Sequence, residues 1–192
     1  MTLHPHRASR LIPWLIALAL TASAGRARAE AKPLEVGGFE ITHDLVVAGT
    51  PTQVFDMITG DLKPWWDHTF SEHPKALYVE PWPGGGFYEI FDGAGNGVRH
   101  AVVTWAERGR RMRFEGPLGL AGNGVVFVST YDLSAQGMDS TAIHFKSSFA
   151  GKVEKGWAES VDGVWEHFLF ERLKAYAGTP EARRRKPWPH NR

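Results

Sequence analysis

Cysteine is absent from all 192 residues. That excludes a disulfide framework, Cys-ligated zinc, thiol catalysis and lipoprotein acylation. Long apolar runs are missing too. The best candidate, Leu11 to Ala22, covers about 12 residues, where a bilayer span needs about 20. Acidic residues are lacking from 1–29, where Arg7 and Arg10 precede that run and Ala27-Arg28-Ala29 follows it. This order predicts a secretory signal peptide over 1–29, cleaved after Ala29 or, as a second choice, after Ala24. An uncleaved anchor is the competing reading. The expected compartment is periplasmic or secreted, with no stable membrane span after cleavage.

Nucleotide-binding loops are also lacking. Gly93-Ala94-Gly95-Asn96-Gly97 and Gly119-Leu120-Ala121-Gly122-Asn123-Gly124 both lead into strand-like segments rather than helices, and neither carries a P-loop lysine. No nucleophile elbow with a Ser-His-Asp order is present. Charge of one sign is scarce overall, with a formal net of +1, but it is unevenly placed. Residues 1–29 hold four basic groups, and 181–192 hold five against one acidic, leaving 13 basic and 20 acidic residues in 30–180. An acidic core domain excludes nucleic acid as the expected partner. The basic tail suits weak contact with an anionic surface, or a solvated, disordered terminus.

What is present is organised around one stretch, Lys152 to Tyr176. Val153, Trp157, Val161, Val164, Trp165, Phe168, Leu169, Leu173 and Tyr176 recur at helical spacing and form one wide apolar stripe. Before it, the pattern is mostly of period two. Phe39, Ile41, Leu45 and Val47 predict a first strand after a linker at 30–37. Thr50-Pro51 then predicts an N-cap and first helical position, opening a short helix to about Thr59. A second short turn or helix comes next, at 61–66. Six further strands are expected at 76–80, 86–92, 98–107, 111–115, 125–133 and 141–149, separated by Gly- and Pro-rich turns. The fold class is therefore α+β: a seven-stranded curved antiparallel sheet, two short helices and a long C-terminal helix.

A helix laid on a curved sheet leaves a cavity where the two diverge. With odd-numbered strand positions inward, its walls are Phe87, Val103, Trp105, Phe127, Tyr131, Ile143 and Phe145, with Trp157, Val161 and Trp165 as lid. His100 and His144, at even positions, then face away from the helix. One bulge would invert a strand's faces.

This order, with Pro51-Thr52-Gln53-Val54-Phe55 after the first strand, resembles the START-like (SRPBCC) helix-grip superfamily over residues 38–177. The likeness is greatest to its heat-shock-ATPase-activator-like, Bet v 1-like branch. Trp65-Trp66, Gly85-Gly86-Phe87-Tyr88 and Gly156-Trp157 carry it. The resemblance implies a deep apolar cavity for lipids, sterols, polyketides or other hydrophobic molecules. Composition makes 178–192, beyond the matching stretch, a disordered basic tail. An apparent export signal departs from the usual cytoplasmic members and argues against a chaperone partner.

The expected ligand-binding residues are Trp65, Trp66, His68, Phe87, Trp105, Phe127, Tyr131, Phe145, Trp157, Val161 and Trp165, with His68 and Tyr131 as polar anchors. Asp67, His68 and His73 match no standard metal-ligand spacing, so a loop rim is expected there rather than a metal. Arg99, Arg111 and Arg113 read as surface charge pairs. No catalytic set converges and no cofactor is expected. The preferred reading is an exported protein that binds or carries a hydrophobic small molecule. Two alternatives remain: a cofactor-free cyclase- or aromatase-like enzyme using the same cavity, and an envelope interaction module with a vestigial one.

Overall fold

Period-two burial builds the sheet. In the 125–135 strand, Phe127, Ser129, Tyr131 and Leu133 are buried, and in the 140–151 strand Thr141, Ile143, Phe145, Ser147 and Phe149 are. Intervening residues such as His144 and Lys146 face solvent, as one-sided burial of an antiparallel sheet requires. The protein is seen in a computed structural model that describes residues 31–189. The expected signal peptide lies outside the described residues, and residues 34–189 belong to one unit.

The elements are β1 (Gly37–Ala48), α1 (Pro51–Met57), β2 (Gly60–Asp61), β3 (Ala76–Val79), β4 (Gly86–Ile90), β5 (Gly97–Glu107), β6 (Arg111–Gly116), a 3-10 turn (Leu118–Leu120), β7 (Val125–Ala135) and β8 (Ser140–Gly151). A long helical segment then runs through α2 (Trp157–Glu166), a π-helical stretch (His167–Leu173) and α3 (Lys174–Ala177), before a last turn, α4 (Pro180–Arg183). All neighbouring strands are antiparallel, in the order β1-β8-β7-β6-β5-β4-β3-β2. The sheet thus has eight strands, not seven. The extra one is β2, two residues that pair with Tyr78 and Val79 at the edge.

The predicted cap of α1 forms as a full capping box. Thr50 Oγ1 accepts from Gln53 N (3.4 Å), and Gln53 Oε1 accepts from Thr50 N (2.8 Å). The second short helix does not form. Trp65 and Trp66 N–H both return to Leu62 O (3.1 and 2.9 Å), giving a single turn. Pro64 brings no donor to extend it, and Leu62 N is already committed to Leu77 O (2.8 Å) in the sheet margin.

Strand β5 carries two bulges. Pairing passes from Phe87↔Ala101 to Tyr88↔Arg99, leaving His100 as the extra residue. It passes again from Val103↔Phe114 to Trp105↔Arg113, leaving Thr104. Each bulge reverses the faces of the residues beyond it. The odd-inward expectation therefore holds for Phe87, Val103, Phe127, Tyr131, Ile143 and Phe145, all buried, and fails for His100 and Trp105.

The long helix begins at Trp157, five residues later than its apolar period suggests. Gly156 sits at φ 84°, a left-handed conformation that ends the preceding turn rather than continuing a helix. The stripe itself is as the period predicts: Trp165, Phe168, Leu169, Leu173 and Tyr176 are the buried positions.

Residues 179–189 correct the expectation of a disordered tail over the part that the structure describes. Thr179 caps α4 by accepting from Ala182 N (3.2 Å), and Ala182 is buried. Arg183 pairs with Asp139 (2.9 Å). Arg185 donates to the carbonyls of Thr59 (2.8 Å) and Asp61, and the Trp188 ring stacks on Tyr78 (5.3 Å, 13°). This strap crosses Gly60, where an added Cβ would meet Trp188 at 2.8 Å and where φ is +64°. Two cations expected to sample anionic surfaces are thus engaged internally.

Candidate functional site

The cavity between sheet and helix starts from the Trp65-Trp66 pair. Trp65 is a core residue whose Nε1–H donates to Met57 O (2.9 Å), which fixes the turn. Its neighbour Trp66 is thereby aimed across the gap. There it stacks on Phe168 (3.9 Å, 19°) and meets Phe87 (5.2 Å) and Trp165 (6.1 Å) edge-on. Such edge and stacked pairs hold rings in defined positions. The space they leave is about 210 Å³, walled by Phe87 and Phe127 from the sheet, Val161, Val164, Trp165 and Phe168 from the helix, and Leu118–Leu120 from the 3-10 turn. His68 and His100 are its titratable lining residues.

Of the expected ligand-binding residues, the structure brings Trp66, His68, Phe87, Phe127, Val161 and Trp165 together around this cavity. Others lie elsewhere. Phe145 is fully buried behind Trp165 (4.4 Å), and Tyr131 packs between Phe114 and Phe145. Burial pushes the Tyr131 phenol well above its ordinary pKa, so it stays neutral in the core. Trp157 meets Phe149 edge-on (6.0 Å, 86°) near the start of α2. Trp105 stands on the outer face, 43% exposed, with the Arg111 and Arg113 guanidinium groups 5.4 and 5.8 Å from its ring. The second β5 bulge puts it there.

Several cavity residues carry no sequence signal. Leu118 and Leu120 sit inside what reads as a glycine-rich turn. Leu118 has φ 49°, a left-handed conformation that costs a branched residue energy. Its carbonyl lies 3.3 Å from His100 Nδ1. The other ring nitrogen, Nε2, lies 3.0 Å from Glu89 Oε2. Glu89 is completely buried and accepts two further bonds, from Phe70 N (3.0 Å) and Ser71 N (2.7 Å). His100 also stacks on Phe70 (5.5 Å, 5°). With both nitrogens engaged, His100 is an anchor: the Glu89–His100 pair ties the 67–72 loop down over the cavity.

A polar cluster occupies the mouth. His167, at the start of the π-helical stretch, donates through Nε2 to Asp67 (Oδ2 2.9 Å, Oδ1 3.1 Å) and through Nδ1 to Glu171 (2.7 Å). His68 Nδ1 lies 3.1 Å from Asp67 Oδ1. Arg172 Nε bridges Trp65 O (3.1 Å) and Asp67 Oδ2 (3.2 Å). Partial burial pulls the Asp67 pKa upward, but hydrogen bonds from His167 and His68 and the Arg172 charge hold it below the ordinary value. Bonds to Asp67 and then Glu171 hold the His167 pKa above that of an ordinary histidine. His73, grouped with Asp67 and His68 by sequence, is not part of this set.

The raised His167 value makes a pH prediction. Its contribution to stability is complete below the unfolded histidine pKa of about 6.5 and is lost as pH rises through the higher folded value. The Tm penalty of His167→Gln is therefore expected to be larger near pH 6 than near pH 9. Thermal unfolding of both proteins in chelator-containing buffer checks this. An equal penalty at the two pH values would contradict it.

Curved sheet, spanning helix and the cavity between them define an α+β helix-grip fold. No protein-family profile and no curated protein matches the chain. Solved structures do match in fold. A Staphylococcus aureus protein of unknown function aligns with TM-score 0.55 at 11% identity, over 74% of this chain and 95% of its own. An uncharacterised Rhizobium leguminosarum protein aligns with TM-score 0.53 at 12% identity, covering 76% and 98%. The Aha1 dimer structure from Colwellia psychrerythraea aligns with TM-score 0.50 at 18% identity, covering 71% and 93%. Identities this low establish a shared fold and leave function to the site.

Proposed function

We propose that this protein binds and carries a small hydrophobic molecule in the sheet–helix cavity, with no chemistry of its own. The observation that carries the reading is an apolar, aromatic-walled cavity of about 210 Å³ that opens at a polar mouth. Its size narrows the ligand. A cavity of about 150 Å³ accommodates benzene, whereas drug-sized molecules occupy about 300 Å³ or more. A one- or two-ring aromatic or a short acyl chain fits; a full-length phospholipid does not. The engaged nitrogens of His100 favour carriage over acid–base catalysis inside the cavity. The reading includes export, which rests on the leader-like residues 1–29.

Filling the cavity tests the reading. Val164→Trp adds an indole to the helix wall and is expected to weaken binding of a naphthalene-type fluorescent probe at least about tenfold, equivalent to about 1.4 kcal/mol. Overpacking costs about 1–3 kcal/mol, so the fold should survive. Probe titrations of both proteins, with native mass spectrometry of the exported fraction, provide the measurement. Absence of probe binding by the wild type, or equal binding by a folded Val164→Trp, would count against a carrier.

A further inference from the structure

The mouth cluster holds a donor set that an apolar cavity does not call for. Asp67, His68 and His167 are, among the described residues, the group that brings three metal-competent donors together, with ligand atoms all within 4.8 Å. Asp67 Oδ1 lies 3.1 Å from both His68 Nδ1 and His167 Nε2. Zinc-like ions with bonds of about 2.0–2.2 Å hold tetrahedral ligand atoms about 3.3–3.6 Å apart. Two edges of such a site are nearly formed in this arrangement, and small ring rotations would open them to that length.

The surroundings are those of a supported site. Glu171, one turn along the helix, accepts from His167 Nδ1 and so directs Nε2 at Asp67. A carboxylate behind a histidine is the usual outer partner of a metal ligand, fixing its tautomer and raising its basicity. Arg172 lies 3.2 Å from Asp67 Oδ2, which His167 also reaches, and Oδ1 is the oxygen within reach of both histidines. The loop bearing Asp67 and His68 is pinned from below by Glu89, through Phe70 N and Ser71 N, and by Trp66 Nε1 donating to His68 O (2.8 Å). Metal binding takes the imidazoles in their neutral form, and Asp67, Glu171 and Arg172 then sum to one negative charge around the ion.

We propose that Asp67, His68 and His167 bind one divalent transition-metal ion of the zinc class at the cavity mouth. Two imidazoles and one carboxylate, without thiolate, select borderline ions such as Zn²⁺, Co²⁺ or Ni²⁺ over Ca²⁺ and Mg²⁺. Three protein ligands leave at least one position for water or for a polar end of whatever occupies the cavity. His68 lines both the cavity and the mouth, so it joins the two.

The test uses the full chain, purified without a polyhistidine tag and stripped with a chelator. Zn²⁺ alone is titrated calorimetrically, and Co²⁺ alone is followed by its visible absorption. The expected result is one equivalent bound at micromolar Kd or tighter, with the intense bands of a low-coordinate cobalt site. Glu171→Gln should weaken binding about 10- to 100-fold, as loss of an outer partner does. His167→Ala and Asp67→Asn should weaken it further. His144→Ala, whose ring pairs with Asp44 on the outer face, should leave it unchanged. The wild-type cobalt spectrum reads the site even if a variant misfolds. Failure of the wild type to bind either ion, or binding that a folded His167→Ala retains, would overturn the proposal and leave the cluster as a salt-bridge clasp between loop and helix.

Discussion

Glu89→Ala is expected to destabilise the protein by about 3–5 kcal/mol, among the largest losses any single substitution here would cause. Breaking one side of a buried, hydrogen-bonded pair strands its partners. The stranded groups are Phe70 N, Ser71 N and His100 Nε2, the last belonging to a buried ring. For a domain of this size each kcal/mol shifts Tm by about 2–4 °C, so a fall of about 10 °C is anticipated. Glu89→Gln keeps one acceptor oxygen and should lose less. The effect also has a location. Amide exchange at Phe70 and Ser71 should accelerate well beyond the global change, because the loop loses its anchor. A Tm within about 2 °C of wild type would show that the pair does not hold the loop.

Phe168→Ala should give the second large effect, and here stability and binding move in opposite directions. Phe168 is 2% exposed, stacked on Trp66 and edge-on to Trp65 and Trp165. Removing a buried phenyl ring costs about 3–5 kcal/mol through lost contact and residual void. That void adjoins the existing cavity of about 210 Å³, so the enlarged space should admit ligands one ring larger than the wild type accepts. A ligand that binds only the folded state stabilises it by RT ln(1 + [L]/Kd). Addition of such a ligand should therefore raise the Tm of Phe168→Ala more than that of wild type. If neither protein responds to apolar ligands of either size, the cavity is not a binding site for them; if only the wild type responds, the void left by Phe168→Ala does not admit the larger ligand.

Only half of the cavity is legible from sequence, and the residues explain the division. Phe87, Phe127, Val161 and Trp165 lie on elements whose local period stays intact, so spacing alone places them on the right face. Trp105 and His100 lie on β5, where two extra residues exchange the faces. A bulge inserts a single residue into one strand and leaves no compositional mark here. Tyr131 and Phe145 lie on the face their period predicts, yet they fall deeper in the core than the cavity reaches. An inward direction does not say whether a side chain meets a void or another side chain.

Pairings across the chain are beyond the reach of periodicity. His167 sits on the polar side of an amphipathic helix, where any charged residue would satisfy the pattern. Its meeting with Asp67 spans 100 positions and depends on how the helix lies on the sheet. Glu89 and His100 read as ordinary alternating polar positions, and only the β5 bulge turns the histidine inward to meet the carboxylate. The tail escapes sequence reading for the same reason. Its composition is that of a solvated terminus, but Arg185 and Trp188 find partners at Thr59, Asp61 and Tyr78, distant along the chain.

By itself the sequence determined the order of the seven longer strands, α1 and the long helix, the Thr50 N-cap of α1, the apolar stripe of the long helix and the inward face of β7 and β8. These depend on side-chain period and backbone chemistry within a few residues, which a chain carries locally. Tertiary structure alone decided the eighth strand, the cavity's size, the buried Glu89–His100 anchor, the mouth cluster and the strap. Each arises where segments far apart in the chain are brought within hydrogen-bonding or packing distance, and such meetings depend on the geometry of the whole sheet and helix.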